Sequence, residues 1–158
     1  MTTPLKLAGA VAAAVFVLDQ ATKVLALDRL SETVRVPVLP SFDLTLAWNY
    51  GVSFGMFGSG GTPPWVFVLV SLAICSFLIW QLKRTEERIA IIGYGLIIGG
   101  AIGNVVDRLI HGAVVDFLLL YWDRYYWPVF NIADVAITCG VGLILIDSLW
   151  PKRASTTS

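Results

Sequence analysis

Residues 65–82 read WVFVLVSLAICSFLIWQL and contain no charged side chain, and this stretch decides the fold. A helix of that length, rising about 1.5 Å per residue, can cross a hydrocarbon core roughly 30 Å thick. Residues 89–106 are also uncharged, and two further apolar runs carry only a few charges. We therefore predict an all-α membrane protein, a single integral membrane domain over 1–158 with transmembrane helices at about 5–27, 65–82, 89–106 and 132–150.

The composition of the chain agrees with membrane insertion. Of its 158 residues, 57% are hydrophobic and 14% charged, and the mean hydropathy is +0.78, outside the range of ordinary soluble domains. The formal net charge of zero gives no reason to expect a nucleic-acid partner. The first apolar run begins like a cleaved signal peptide, with Lys6 before an alanine-rich stretch. Because that run continues to Leu27, we interpret it as the first span.

The basic residues predict the orientation of the chain. Six lie in short segments on one side of the predicted spans: Lys6, Lys83, Arg84, Arg88, Lys152 and Arg153. Four lie in the two longer connections: Arg29, Arg35, Arg108 and Arg124. The positive-inside rule therefore places both termini and the 83–88 turn in the cytoplasm, and the connections 28–64 and 107–131 outside.

The two outer connections differ in pattern. Residues 33–47 alternate in polarity and are rich in β-branched side chains, which predicts a small extracytoplasmic β-sheet after the first helix. The second connection holds five aromatic residues within 121–127, before the fourth helix. Such a segment is typical of the headgroup level, and we predict a short interfacial aromatic helix or loop there.

Polar residues of the spans converge on the outer side under this topology. Asp19 lies about 21 Å above the inner end of the first span, and Asn104 about 22 Å above that of the third. Asp116 follows the outer end of the third span, and Asp134 opens the fourth from the same side. The side chains expected near one face are Asp19, Lys23, Asn104, Asp107, Arg108, Asp116, Asn131 and Asp134. Ionisable groups at this depth are costly, so they mark a candidate functional site.

Each polar motif also has a structural interpretation. Asp19 and Lys23 form an i,i+4 pair that could neutralise itself within the bundle. Asn131 and Asp134 have the spacing of a helix N-cap with an acid at its third position. The third span adds two sets that could serve helix packing alone, namely the polar Asn104, Asp107 and Arg108 and the small Gly95, Gly99 and Gly103.

Two other hydrolytic chemistries find little support. Residues 51–55 read GVSFG and match the G-x-S-x-G pattern of serine hydrolases, but a helix is not indicated after it and His111 is the only histidine. One histidine without a cysteine cluster also argues against a zinc site. Cys75 and Cys139 lie within spans without ligand spacing, so we predict both to be small buried side chains.

Paired carboxylates remain as the candidate chemistry. Two aspartates within hydrogen-bond reach cannot both ionise cheaply, so near neutral pH one keeps its proton while the other is charged. The ionised member can accept a proton from water, and the protonated member can donate to a carbonyl and then to the leaving amine. Asp116 and Asp134 would in this way hydrolyse a peptide bond without a metal, a cofactor or a covalent intermediate.

Five sequence blocks occur in order along the chain: DQATK (19–23), NYGVSFG (49–55), GGAIGNVVDR (99–108), VVDF (114–117) and FNIAD (130–134). They resemble the motif blocks of the lipoprotein signal peptidases, also called signal peptidase II, and the resemblance covers about 15–140. It implies a bacterial inner-membrane aspartyl endopeptidase that removes signal peptides from diacylglyceryl-modified prolipoproteins. The cut falls on the N-terminal side of the lipidated cysteine, and the site faces the periplasm.

Carried over block by block, the resemblance assigns the catalytic dyad to Asp116 and Asp134. The supporting positions that it implies are Asp19, Lys23, Asn49, Gly51, Asn104, Asp107, Arg108 and Asn131. It further implies that the outer sheet cradles the substrate and that the aromatic segment is a mobile lid. The second block departs at Tyr50 and Ser53, where many members have smaller or non-hydroxyl residues. The expected partners are lipid-modified prolipoproteins and membrane lipids, for a monomer without metal or cofactor.

Two rival functions come from other classes. A small proton-coupled transporter or channel would also carry ionisable residues in its spans. The predicted dyad lies at one surface and not at the midplane, and the two halves of the chain do not resemble an inverted repeat. A non-catalytic membrane adaptor would leave the convergence of polar residues unexplained.

Overall fold

Four long helices and a small antiparallel sheet make up the structure, a computed structural model that describes residues 3–51 and 62–149. In chain order the elements are α1 (Thr3–Arg29), β1 (Val36–Leu39), β2 (Phe42–Asn49), α2 (Pro64–Leu82), α3 (Arg88–His111), β3 (Val114–Trp122), β4 (Tyr125–Tyr126) and α4 (Ile132–Leu149). Within the described ranges, four helices are long and apolar enough to cross a membrane. The predicted helical spans are therefore confirmed, and the chain is a multi-pass membrane protein.

Helix α3 is the centre of the bundle and the most buried of the four spans. It packs against each of the other three helices, and its glycines allow close approach. A Cβ at Gly99 would lie 2.6 Å from the carbonyl oxygen of Ala12 on α1. On the face towards α4, a Cβ at Gly100 would lie 2.5 Å from the carbonyl oxygen of Ala133. The predicted packing role of the glycines in α3 is thus confirmed.

Helix α3 ends five residues later than the span predicted to close at 106. Gly112 terminates it in the left-handed conformation, with φ of 74°, and donates its N–H to the carbonyl of Arg108 at 3.1 Å. A glycine at this position is a common helix stop because it tolerates positive φ. The extra turn keeps Asp107 and Arg108 on the helix, at the end of the bundle that carries the sheet.

The sheet joins the two longer connections in the order β1-β2-β3-β4, with antiparallel neighbours. The strands predicted after α1 are confirmed as β1 and β2. Strand β3 pairs along β2 with Ala47 opposite Asp116 and Asn49 opposite Val114. This register places one strand of each connection side by side.

The aromatic segment forms a short β-hairpin with a turn at 123–124, so the prediction of a helix there is wrong. Tyr121 and Trp122 end β3 and pair with Tyr126 and Tyr125 of β4. The rings of Tyr121 and Tyr126 stack at 5.6 Å, and pairing along β2 gives the backbone its hydrogen-bond partners. The same bulky side chains suit a strand and an interfacial helix, which is why composition did not separate the two.

Candidate active site

Asp116 lies in the middle of β3 and is only 2% exposed. Its two carboxylate oxygens accept from two side-chain amides. Asn49 on β2 donates to Oδ2 at 3.1 Å, and Asn131 donates to Oδ1 at 2.7 Å. The pairing of β2 with β3 brings Asn49 to this position, so the sheet carries Asp116 and orients it.

Asp134 lies in the first turn of α4, directly beside this amide pair. Its backbone N–H donates to Asn131 Oδ1 at 3.0 Å, and Asn131 N–H donates to Asp134 Oδ2 at 3.3 Å. This is a reciprocal capping box, so the predicted N-cap is present. Asn104 on α3 donates to the other oxygen, Oδ1, at 3.1 Å. Asn131 therefore touches both Asp116 and Asp134.

Burial changes the ionisation of Asp116. Loss of solvent, together with the negative charge of nearby Asp134, raises the pKa of this carboxyl from 3.8 to about 7. The hydrogen bonds from Asn49 and Asn131 and the charge of Lys23 act in the opposite direction, because they favour the ionised form. Asp116 can therefore exist in both protonation states near neutral pH.

A second group of charged side chains lies next to Asp116 and Asp134, between α1 and α3. Lys23 Nζ is 2.8 Å from Asp19 Oδ2, 2.8 Å from Asp107 Oδ2 and 2.9 Å from Asn104 Oδ1. Gln20 adds bonds to both aspartates, at 3.2 and 3.0 Å. These five residues, the buried cluster, join α1 to α3. The predicted pair of Asp19 with Lys23 is present, and Asp107 is a third member of it.

The carboxylates of the buried cluster also reach the backbone. Asp19 Oδ1 accepts the N–H of Ala133 at 2.9 Å, and Asp107 Oδ2 accepts the N–H of Val115 at 3.0 Å. Gly103 makes room for this arrangement, because a Cβ there would overlap Asp19 Oδ2. In the described part of the chain, every buried side-chain nitrogen and oxygen has a hydrogen-bond partner.

Arg108 is buried and makes its bonds to carbonyl groups. It donates to the carbonyl of Gly51 at 2.7 Å and to that of Asn104 at 3.3 Å, and its guanidinium lies 5.2 Å from the ring centroid of Phe67. Gly51 in turn donates its N–H to Asn49 Oδ1 at 3.0 Å. Arg108 therefore braces the chain immediately after β2.

Two apolar grooves open beside Asp134. One has a volume of about 320 Å³ and is lined by Asn49 and Asp134 together with residues 127–130, Val135, Thr138 and Cys139. The other, about 190 Å³, runs between α2, α3 and α4 and is lined by residues that include Phe67, Ser71, Ile97, Asn104, Asp134 and Ile137. Asp134 thus borders both, and each groove offers apolar surface next to a carboxyl group.

Two residues differ from the sequence predictions. Cys75 is buried as predicted, but Cys139 is exposed, on a face of α4 that borders the larger groove. Gln20 was not among the predicted site residues, although a glutamine next to Asp19 in an apolar span was a usable signal.

Ser53 and most of the 51–55 motif lie outside the described residues, as do Lys152 and Arg153.

The four spanning helices make this chain a multi-pass membrane protein, and its fold matches solved membrane enzymes. One solved structure described as a bacterial membrane enzyme matches with a TM-score of 0.84 and 28% identity, over 96% of this chain and 93% of that one. A second structure of the same description matches with a TM-score of 0.78 and 27% identity, over 93% and 94% of the two chains.

Sequence comparison identifies the family. The family model of signal peptidase (SPase) II matches residues 11–150, so this chain belongs to the signal peptidase II family, whose members are proteases. A lipoprotein signal peptidase of Rhodopseudomonas palustris is 48% identical over 93% of this chain and 94% of its own length. A lipoprotein signal peptidase of Haemophilus influenzae is 43% identical over 89% of this chain and 84% of its own length.

Proposed function

We propose that this protein is an aspartyl endopeptidase that removes signal peptides from diacylglyceryl-modified bacterial prolipoproteins. It cleaves on the N-terminal side of the lipidated cysteine, with Asp116 and Asp134 as the catalytic dyad. Family membership supports the substrate class. The single observation that carries the dyad is Asn131, whose side chain donates to Asp116 while accepting from the backbone of Asp134, so that one buried residue holds both aspartates at one site.

The proposed reaction uses one proton shared between two carboxyl groups. The ionised aspartate accepts a proton from water, and the resulting hydroxide attacks the scissile carbonyl carbon, whose oxygen accepts a hydrogen bond from the protonated aspartate. Collapse of the tetrahedral intermediate breaks the C–N bond, and the leaving amine takes a proton from the dyad. The pKa of Asp116, raised to about 7 by burial and by Asp134, supports a mixed protonation state at neutral pH.

The apolar lining of the two grooves supports the proposal that the substrate enters from the lipid bilayer. A signal peptide and a diacylglyceryl group are both apolar, and the two grooves at Asp134 each present apolar walls. Residues 127–130 line the larger groove, and we propose that the hairpin segment 121–127 moves over bound substrate as a lid. The sheet beneath it cradles the chain on either side of the scissile bond. The enzyme resides in the bacterial inner membrane as a monomer, with both termini cytoplasmic and the dyad facing the periplasm.

Replacing either aspartate by asparagine tests the dyad. Asp116→Asn and Asp134→Asn should each lower kcat by about 10³-fold or more, because an amide cannot exchange the proton that both steps need. Purified protein in detergent is incubated with a diacylglyceryl-modified prolipoprotein, and the released signal peptide is measured by mass spectrometry. Wild-type turnover in either variant would remove that residue from the dyad.

Asp123→Asn is the matched control, because the side chain of Asp123 is 75% exposed in the β3–β4 turn and lies away from both grooves. It should retain wild-type activity. Ser53→Ala and His111→Ala should also remain active. A Ser53→Ala protein that folds but is inactive would instead support the serine-hydrolase interpretation of the 51–55 motif. Release of the signal peptide in this assay also separates a peptidase from a transporter or an adaptor.

A further inference from the structure

Two backbone hydrogen bonds of the buried cluster have the same relation to the dyad. Asp19 accepts the N–H of Ala133, the residue before Asp134. Asp107 accepts the N–H of Val115, the residue before Asp116. Each buried aspartate thus holds the backbone N–H of the residue immediately before one dyad residue, on α4 in one case and on β3 in the other.

Lys23 connects these two attachments. Its ammonium group is 2.8 Å from a carboxylate oxygen of each buried aspartate, and its side chain is 3% exposed. The third bond, at 2.9 Å, goes to Asn104, whose amide donates to Asp134. All three donors of the ammonium are therefore used within the protein, and Lys23 has none left for a substrate.

We propose that Lys23 is a positioning residue that sets the separation of the two dyad aspartates by tying together the carboxylates that hold Ala133 and Val115. The inference rests on the proposed function of Asp116 and Asp134. Strand β3 and helix α4 reach the site from separate parts of the chain, and the cluster gives them a common anchor on α1 and α3. Reacting groups must be held within a fraction of an ångström, and a displacement of about 1 Å can cost about 100-fold in rate.

Charge neutralisation alone is the competing role for Lys23. Two buried carboxylates and one ammonium give the cluster a charge of minus one, and an unpaired buried charge is strongly destabilising. Lys23→Met removes the ammonium bridge between the two carboxylates, here called the tie, and at the same time removes the positive charge that partly neutralises them. The double variant Asp19→Asn/Lys23→Met removes the tie but restores the charge of minus one, and the introduced asparagine keeps an oxygen that can accept the N–H of Ala133. The two variants therefore separate geometry from charge.

Amide hydrogen exchange and steady-state kinetics test the proposal on the full-length protein in detergent. In both variants we expect exchange at Ala133 and Val115 to be at least about tenfold faster, while exchange in the middle of α3, at Ile97 and Ile98, is unchanged. We expect kcat for a diacylglyceryl-modified prolipoprotein to fall about 100-fold with KM within about threefold of wild type. Arg29→Met, which removes an exposed cation from the same helix, should change none of these values.

Three results would overturn the proposal. Recovery of wild-type kcat in the double variant would show that Lys23 acts only through its charge. Faster exchange throughout α3 and α4 would show a general loss of stability, and unchanged exchange at Ala133 and Val115 would remove the tie itself. The exchange measurement needs no substrate, so it tests the positioning role of Lys23 even if the wild-type protein is inactive. Failure of the wild-type protein to release a signal peptide would contradict the proposed function and not the positioning role.

Discussion

At the scale of single residues, Asp116 and Asp134 are held by structural devices that have ordinary uses elsewhere. The capping box of Asn131 and Asp134 would stabilise the start of many helices. Here Asn131 also reaches Asp116 at 2.7 Å, so the same residue is a helix cap and a support for the candidate site. A structural and a catalytic interpretation of one motif therefore need not exclude each other.

The raised pKa of Asp116 predicts how stability depends on pH. Because the folded protein holds this proton up to about pH 7 and the unfolded chain loses it near pH 4, folding binds a proton between these values. The contribution of Asp116 to stability is therefore fully present below about pH 4 and is lost as the pH rises to about 7. We expect the melting temperature of wild type to fall relative to that of Asp116→Asn over this range.

Thermal unfolding of the two proteins in detergent, at several pH values from about 4 to about 8, measures this difference. Above about pH 7 it should no longer change, because Asp116 is then ionised in both states. A melting temperature of wild type that rises relative to Asp116→Asn with increasing pH would contradict the buried, protonated carboxyl.

At the scale of elements, the helices were predictable and the long-range pairings were not. An uncharged run such as 65–82 has few alternatives to a spanning helix, and the alternation in 33–47 already indicated β1 and β2. Strand β3 was missed because its partner β2 lies far away in sequence. Likewise Asp19 and Asp107 bind backbone N–H groups, which have no sequence signature, so their target peptides could not be read from residue types.

The contact of α1 with α3 depends on the absence of a side chain at Gly99. A Cβ at this position would lie 2.6 Å from the carbonyl oxygen and 2.9 Å from Cα of Ala12, and these backbone atoms cannot rotate away. Gly99→Ala should therefore destabilise the protein by roughly 1–3 kcal/mol, as overpacking does. The measurement is chemical or thermal unfolding in detergent.

Gly142→Ala on α4 is the matched control, because a Cβ there meets nothing within 4 Å. Alanine is the better helix former by about 0.8–1 kcal/mol, so this variant should be as stable as wild type or more so. Equal stability of the two variants would show that α1 does not lie against Gly99 as described.

At the scale of the whole molecule, the polar residues of the candidate site lie at one end of the bundle. The sheet, the capping box and the buried cluster all belong to the end at which α1 and α3 finish and α2 and α4 begin. Which side of the membrane this end faces follows only from the positive-inside rule, and it stays a prediction. An exported prolipoprotein can reach the dyad only if this end is outside.

Single-cysteine labelling in cells tests the orientation. In a background without Cys75 and Cys139, a cysteine in place of Asp123 should react with an impermeant thiol reagent added outside. A cysteine in place of Thr85, in the turn between α2 and α3, should react only after the membrane is permeabilised. The opposite pattern would place Asp116 and Asp134 on the cytoplasmic side and leave the proposed peptidase without access to its substrate.

The pairing of β2 with β3 also has a consequence for biogenesis. Asn49 and Asp116 are 67 residues apart in sequence, and helices α2 and α3 lie between them. Both helices must be inserted before Asn49 can meet its partner. Asp134 follows later still, on α4, which comes after the other three described helices in the chain. If Asp116 and Asp134 are the dyad as proposed, the nascent chain is inactive at every earlier stage, and proteolytic competence arises only once α4 has entered the membrane.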